Sequence, residues 1–180
     1  MSGDLLWAGT QAMVYAVIAI LVYIWFRFEW QFAIGAVVAL IHDAVTTLGV
    51  IALLGLEFNL ATVAAILTII GYSINDTVVI YDRVRENLRR YKAMPLPDLI
   101  DRSINETLAR TVMTALTTFL ALLALLLVGG PVIRDFTIAM IWGVVIGTYS
   151  TIYVASPMVL HLHLRRESLA PAAESKGGAG

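Results

Sequence analysis

Residues 59–81 read NLATVAAILTIIGYSINDTVVIY. The stretch is apolar except for a few hydroxyls, two amides and a single charge, Asp76. A helix that crosses a bilayer needs about 20 mostly apolar residues. Lipid cannot satisfy exposed backbone groups, so such a stretch predicts a helix and not a strand. Working outward, four more windows qualify, at roughly 7–27, 32–55, 110–129 and 136–160. The fold class expected is all-α: a polytopic membrane helix bundle of five transmembrane helices occupying residues 1–164.

Composition agrees with this. Of 180 residues, 59% are hydrophobic and only 14% are charged, against roughly 25% charged in soluble domains. The mean hydropathy is +0.84. Net charge is −1, so no overall field recruits nucleic acid. Cysteine is absent, which excludes disulfides, thiolate catalysis and zinc–cysteine sites. No nucleophile elbow, phosphate loop or zinc motif is present, so nothing points to an enzyme, and no cofactor or metal is expected. The first apolar stretch lacks a basic leader and reads as a span, not as a cleavable signal.

The connections expected are Arg27–Gln31, Gly55–Asn59, Asp82–Ala109 and Gly130–Asp135. Ten basic side chains fall on one side: Arg27, Arg83, Arg85, Arg89, Arg90, Lys92, Arg102, Arg165, Arg166 and Lys176. Arg134 falls on the other, and Arg110 opens the fourth span. The basic side is read as cytoplasmic, which puts the N-terminus outside and the C-terminus inside. The same rule accounts for the Arg83–Lys92 cluster better than RNA contact does. Residues 82–92 continue the third helix, and Pro95 and Pro97 break it. Asp98 then caps a short helix in which Leu99, Ile100, Ile104 and Leu108 alternate with charges, as in an amphipathic element on the membrane surface. Residues 165–180 read as a disordered tail.

Charges inside a bilayer are costly and mark function by default. Asp43 lies mid-way along the second span beside His42, on a face shared with Ala36, Ala39, Thr46 and Thr47. It reads equally as a proton-linked carboxylate and as one satisfied by hydroxyls. His42 reads as a hydrogen-bonding histidine. Asp76 shares a face with Thr62, Ala65 and Ser73, within Gly71-Tyr72-Ser73-Ile74-Asn75-Asp76-Thr77. It lies about 9 Å along the helix from Asp82. Arg110 enters the next span from the same side, so the two should sit at similar depth, with Thr107, Arg110, Thr114 and Thr117 on one polar face. Burial disfavours a charged carboxylate and a nearby guanidinium favours it. Relative movement of such a pair would therefore switch proton binding; the same pair could also be a static tie between helices. Ala139, Gly143, Gly147, Thr151 and Ala155 form a small-residue stripe suited to helix packing. His161 and His163 read as interfacial.

The string GYSINDTVVIYDRVREN (71–87) resembles the signature of SecF, of the SecD–SecF export complex and the RND superfamily. Three other segments agree in order: YIWFRFEWQFAIGAVVALIHD (23–43), INETLARTVMTALTT (104–118) and GGPVIRDFTIAMIWGVVIGTYSTIYVASP (129–157). The resemblance runs from Ser2 to about Leu164. It implies an RND-type half domain in the bacterial inner membrane, with SecD, the SecY translocon complex and an exported unfolded polypeptide as partners and the proton gradient as energy source. It puts the family's intramembrane aspartate and arginine on Asp76 and Arg110, and its His-Asp pair on His42 and Asp43. Ser73, Asn75, Thr77 and Thr114 are the expected supporting polar residues. SecF-like proteins have a first helix and a periplasmic domain before the segment matched here. The resemblance thus implies an N-terminally truncated form that does not support export alone. A proton-coupled RND exporter of lipids or small molecules, or a non-transporting assembly partner, are the rival readings.

Overall fold

The structure is a computed structural model and describes residues 3–162. The expected disordered tail, His163 and the basic residues from Arg165 onward lie outside the described residues. The elements are α1 (Gly3–Arg27), α2 (Trp30–Leu53), α3 (Leu60–Arg90), α4 (Leu96–Val128) and α5 (Pro131–Ser150). A π-helical turn (Thr151–Ala155) follows, then α6 (Ser156–His161). The last three form one rod, so five helical rods are long and apolar enough to cross a membrane. The chain is a multi-pass membrane protein.

Local sequence sets the helix ends. Gly55, at φ 62°, closes α2. Its amide donates to Ala52 O, and that of Leu56 donates to Ile51 O, the paired bonds of a Schellman motif that needs a left-handed residue. Asn59 caps α3, its Oδ1 accepting from the amides of Ala61 (2.9 Å) and Thr62 (3.2 Å). Pro97 and Pro131 sit in the first turns of α4 and α5, where a missing amide costs nothing.

The centre of the bundle is α3, packed against α5 and α2. Ile66, Ile69, Ala139, Met140 and Val144 fill the α3–α5 seam. The small-residue stripe of α5 is buried here and packs within the chain. A Cβ placed on Gly143 would overlap the Ile69 side chain. α4 packs on α3 and α5 as well, while α1 and the outer face of α4 line the edge of the bundle, with Tyr15, Val22, Leu116 and Leu120 exposed as lipid-facing residues are.

At 31 and 33 residues, α3 and α4 measure about 46 and 50 Å, more than the roughly 30 Å hydrocarbon layer. Their surplus projects as a hairpin beyond the membrane. Here the structure departs from expectation. Residues 96–109 are no separate surface helix; they are the first turns of an unbroken α4. Asp98 lies in its first turn, and Pro95 occupies the cap position without a side-chain bond. Leu99 and Ile100 are buried, not laid on lipid, in the same cluster as Val84 and Leu88. The alternation of apolar and charged residues fits a helix packed on a neighbour as well as one on a membrane. Glu106 fastens the hairpin, accepting from Arg83 Nε (2.6 Å), Arg102 Nε (2.9 Å) and Asn87 Nδ2 (2.9 Å). Asn87 also donates to Ser103 Oγ at 3.0 Å.

Contacts at the two ends agree with alternating spans. Arg27, ending α1, pairs with Asp82 at 2.7 Å. At the opposite end the amide of Glu57 donates to Asp135 Oδ2 at 3.1 Å.

Gly143→Ala should lower stability in detergent micelles by about 1–3 kcal/mol through overpacking, and Ile69→Ala should rescue part of that loss. SDS-titration unfolding measures both; a neutral Gly143→Ala would contradict the packing described. The bonds from Asn87, Arg102 and Arg83 hold the Glu106 carboxyl down at about 2, against an ordinary 4.5. Its contribution is therefore present above about pH 4.5 and lost as pH falls through about 2. Acid unfolding of Glu106→Gln should lack that step, and an unchanged acid limb would refute the assignment.

Candidate functional site

Polar side chains in the bundle interior converge between α2, α3 and the α5–π rod. On α2, Ala36, Ala39, Asp43 and Thr47 form the buried face, and the two alanines let the neighbouring helices come close. Thr46 is only part-buried and donates back to His42 O at 2.9 Å. Asp43 has no exposed surface. Its Oδ2 accepts from Ser73 Oγ of α3 at 2.5 Å and from Ser150 Oγ of α5 at 2.8 Å. Its Oδ1 lies 3.2 Å from Nδ1 of part-buried His42. One carboxylate thus gathers donors from three helices. Gly147 makes this possible: a Cβ there would press on Ser73 at 3.2 Å, so the glycine lets α5 approach Ser73.

One turn further along, Thr77 Oγ1 bonds Ser73 O and Thr151 Oγ1, each at 3.1 Å. Thr151 opens the π-helical turn. Pro157 lacks an amide and cannot continue the α-helical ladder; the wide turn lies directly ahead of it. Two hydroxyls serve carbonyls of that turn. Ser156 Oγ donates to Thr151 O at 2.9 Å, and Tyr81 Oη donates to Ala155 O at 3.0 Å. Gly35 leaves the room that the Tyr81 hydroxyl occupies, and Phe28 and Phe32 pack edge-on against the Tyr81 ring.

Asp76 lies on the same face of α3, at 3% exposure, and its Oδ2 is buried without a hydrogen-bond partner. Arg110 lies within electrostatic range, yet the two form no ion pair among the described residues. The expected polar face of α4 is rotated. The buried positions of α4 are Leu99, Ile100, Ser103, Thr107, Thr111 and Leu122, while Arg110 and Thr117 are exposed at its edge. Thr114 is part-buried and bonds the carbonyls of Arg110 (3.1 Å) and Thr111 (2.9 Å). A helical wheel groups Thr107, Arg110, Thr114 and Thr117, but which edge of that arc faces inward depends on the neighbouring helix. Asn75 also departs from expectation: it is exposed, pointing away from the seam.

The structure therefore joins Asp43, His42, Ser73 and Thr77 in one network, with Asp76 beside it and Arg110 at the margin. Ser150, Ser156, Tyr81 and Gly35 were not singled out by sequence, and Thr151 was read only as a small packing residue. The available signal was adjacent hydroxyls at 150–151 with Pro157 in the same apolar window. Asp43 is matched on both oxygens, whereas the buried Oδ2 of Asp76 has no hydrogen-bond partner among the described residues.

Comparison with known proteins places this geometry in context. The family described as "Protein export membrane protein SecD/SecF, C-terminal" matches residues 1–165. The chain is 59% identical over 165 residues to protein translocase subunit SecF of Rhodobacter capsulatus, covering 92% of this chain and 50% of that protein. It is 55% identical over 177 residues to the SecF of Cereibacter sphaeroides, covering 98% and 54%. It thus spans about half the length of the curated relatives it matches. Among solved structures, SecDF of Thermus thermophilus, a translocon-associated membrane protein, aligns with a TM-score of 0.83 and 48% identity. That alignment covers 87% of this chain and 22% of that one. SecDF in a super-membrane-facing form aligns with a TM-score of 0.78 and 51% identity, covering 83% and 20%.

Asp43→Ala should strand the hydroxyl of Ser73 and leave Ser150 only Gly147 O as acceptor, lowering stability by about 2 kcal/mol. Asp43→Asn, which keeps one acceptor oxygen, should cost less. SDS-titration unfolding of both variants checks the order; equal losses would show that acceptor chemistry is not what Asp43 supplies.

Proposed function

The chain belongs to the SecD/SecF C-terminal family of protein export membrane proteins, and on that premise we propose that it is the membrane-embedded half of a SecF-type subunit. This subunit assists translocation of secreted polypeptides across the bacterial cytoplasmic membrane at the expense of the proton gradient. Its partners are SecD, the SecY translocon complex and the exported unfolded chain. The basic end of the bundle faces the cytoplasm. No reaction is catalysed; the work is mechanical.

The observation that carries the reading is Asp76: a buried carboxylate with an unpartnered oxygen, near a guanidinium it does not touch. A static tie would show a closed ion pair. An open pair instead leaves the carboxylate able to gain or lose a proton while Arg110 moves toward or away from it. A proton falling through 100 mV yields about 2.3 kcal/mol, enough to shift a helix-packing equilibrium by roughly fifty-fold. The seam gives the change a mechanical output. Asp76 is flanked on α3 by Ser73, bound to Asp43, and by Thr77, bound to Thr151 of the wide turn. A displacement of α3 at Asp76 therefore strains bonds to α2 and to the α5 rod together. Asp43 acts in this reading as the acceptor that keeps the three helices in register, and its own protonation would loosen them. His42 orients it, and Gly143 and Gly147 set the helix spacing.

The test uses this segment grafted into full-length Rhodobacter capsulatus SecF in cells that lack their own. Asp76→Asn should reduce gradient-dependent export at least tenfold while shifting unfolding by less than about 1 kcal/mol, and Arg110→Gln should behave likewise. If Asp76→Asn exports normally but unfolds early, the pair is structural and the reading fails.

A further inference from the structure

Away from the polar seam, the end of α1 and the projecting part of α3 enclose a cleft of about 640 Å³. It is lined by Arg27, Asp82, Arg85, Glu86, Arg89 and Arg90. Its charges do not balance. Arg27 and Asp82 neutralise each other across 2.7 Å. Glu86 is held at 2.6 Å by Arg83, which lies outside the cleft lining. Among the described residues, Arg85, Arg89 and Arg90 are left without a carboxylate. Arg85 is the most confined: its Nη1 donates to Arg27 O at 3.3 Å and its guanidinium sits 5.7 Å from the Phe28 ring centre. Its Nε is buried with no acceptor. A buried guanidinium N–H without a partner points to an anion that the protein itself does not supply.

Depth identifies the anion's class. The cleft begins at the turn where α3 leaves the hydrocarbon. Around it Trp25, Phe26 and Trp30 are 67%, 86% and 51% exposed. Exposed aromatics of this kind mark the headgroup level of a bilayer, and basic pockets between helices at that level take anionic headgroups. Topology alone explains why arginines lie on this side. It does not explain why three converge on one cleft with an N–H left unmatched. We propose that this cleft binds the phosphate of an anionic phospholipid, with Arg85 and Arg89 donating to it and the acyl chains descending toward the exposed aromatics at the end of α1. An acidic protein segment would satisfy the charge but would leave that aromatic rim unused. The proposal is independent of proton coupling at Asp76.

The test reconstitutes the full chain in phosphatidylcholine nanodiscs doped with phosphatidylglycerol and counts retained lipid by native mass spectrometry. Arg85→Gln/Arg89→Gln should weaken phosphatidylglycerol retention about thirtyfold, and the exposed Arg89→Gln alone about fivefold. Arg134→Gln, at the other end of the bundle, should leave it unchanged. Retention unaffected by the double change, or reduced equally by Arg134→Gln, overturns the proposal. So does complete displacement by millimolar inorganic phosphate, which would make a free anion the ligand. Oligoglutamate that binds through Arg85 and Arg89 while lipid retention ignores them would assign the cleft to an acidic protein partner instead.

Discussion

A carboxylate with no exposed surface, inside a bundle surrounded by hydrocarbon, has to be matched from within, and Asp43 is matched by hydroxyls from two other helices. The rest of the site inherits its order from that interaction. Ser73 is drawn toward α2, and Gly147 allows α5 to follow. Thr77 and Thr151 then meet one turn on. Hydrogen bonds between membrane helices are individually modest, around 1 kcal/mol. Their value here is positional, because each one fixes the rotation of a helix about its own axis. The apolar α3–α5 seam supplies contact but little rotational preference, since isoleucine and valine surfaces repack more readily than hydroxyl–carboxylate geometry does.

Much of this architecture was legible from residue order. The length rule for spans located all five rods, because an apolar run of that size has few alternatives in lipid. The buried faces of α2 and α3 were also legible: aspartate, serine and small residues at helical spacing have to face inward. What escaped was relational. The alternation in Leu99–Leu108 suits a membrane surface and a neighbouring helix equally, and only the α3 projection beside it decides the matter. The arc containing Arg110 was identified, but its inward edge is set by where α3 crosses, which leaves Thr107 and Thr111 inside and Arg110 outside. Ser150 was hidden because the neighbouring four-residue stripe drew attention to Gly143 and Gly147, and a hydroxyl beside such a stripe has no distinct signature of its own.

The two intramembrane carboxylates illustrate how one bundle gives like groups unlike surroundings. Asp43 has a donor for each oxygen; Asp76 is nearly as buried and has an oxygen left over. The difference comes from the hydroxyls that the adjoining helices α3 and α5 present to Asp43. Arg110, exposed at the rim of α4, is the guanidinium within electrostatic range of Asp76. In the proposed function, stability rests on Asp43 and responsiveness on Asp76, on different helices.

The wide turn at Thr151–Ala155 has a consequence for how this segment tolerates change in length. A π-turn holds one residue more than the α-helical path it replaces. Removing one residue there would relax the turn to an ordinary helix while the residues beyond it keep their faces, because the extra residue is what the wide turn absorbs. Ser156 and Val159, now buried, would stay inward, and the change would fall on the turn itself, where Ser156 Oγ bonds Thr151 O and the Tyr81 hydroxyl bonds Ala155 O. A single-codon deletion in this short stretch is therefore absorbed where it occurs, whereas the same deletion in a regular α-helical part of the rod would rotate everything beyond it by about 100°.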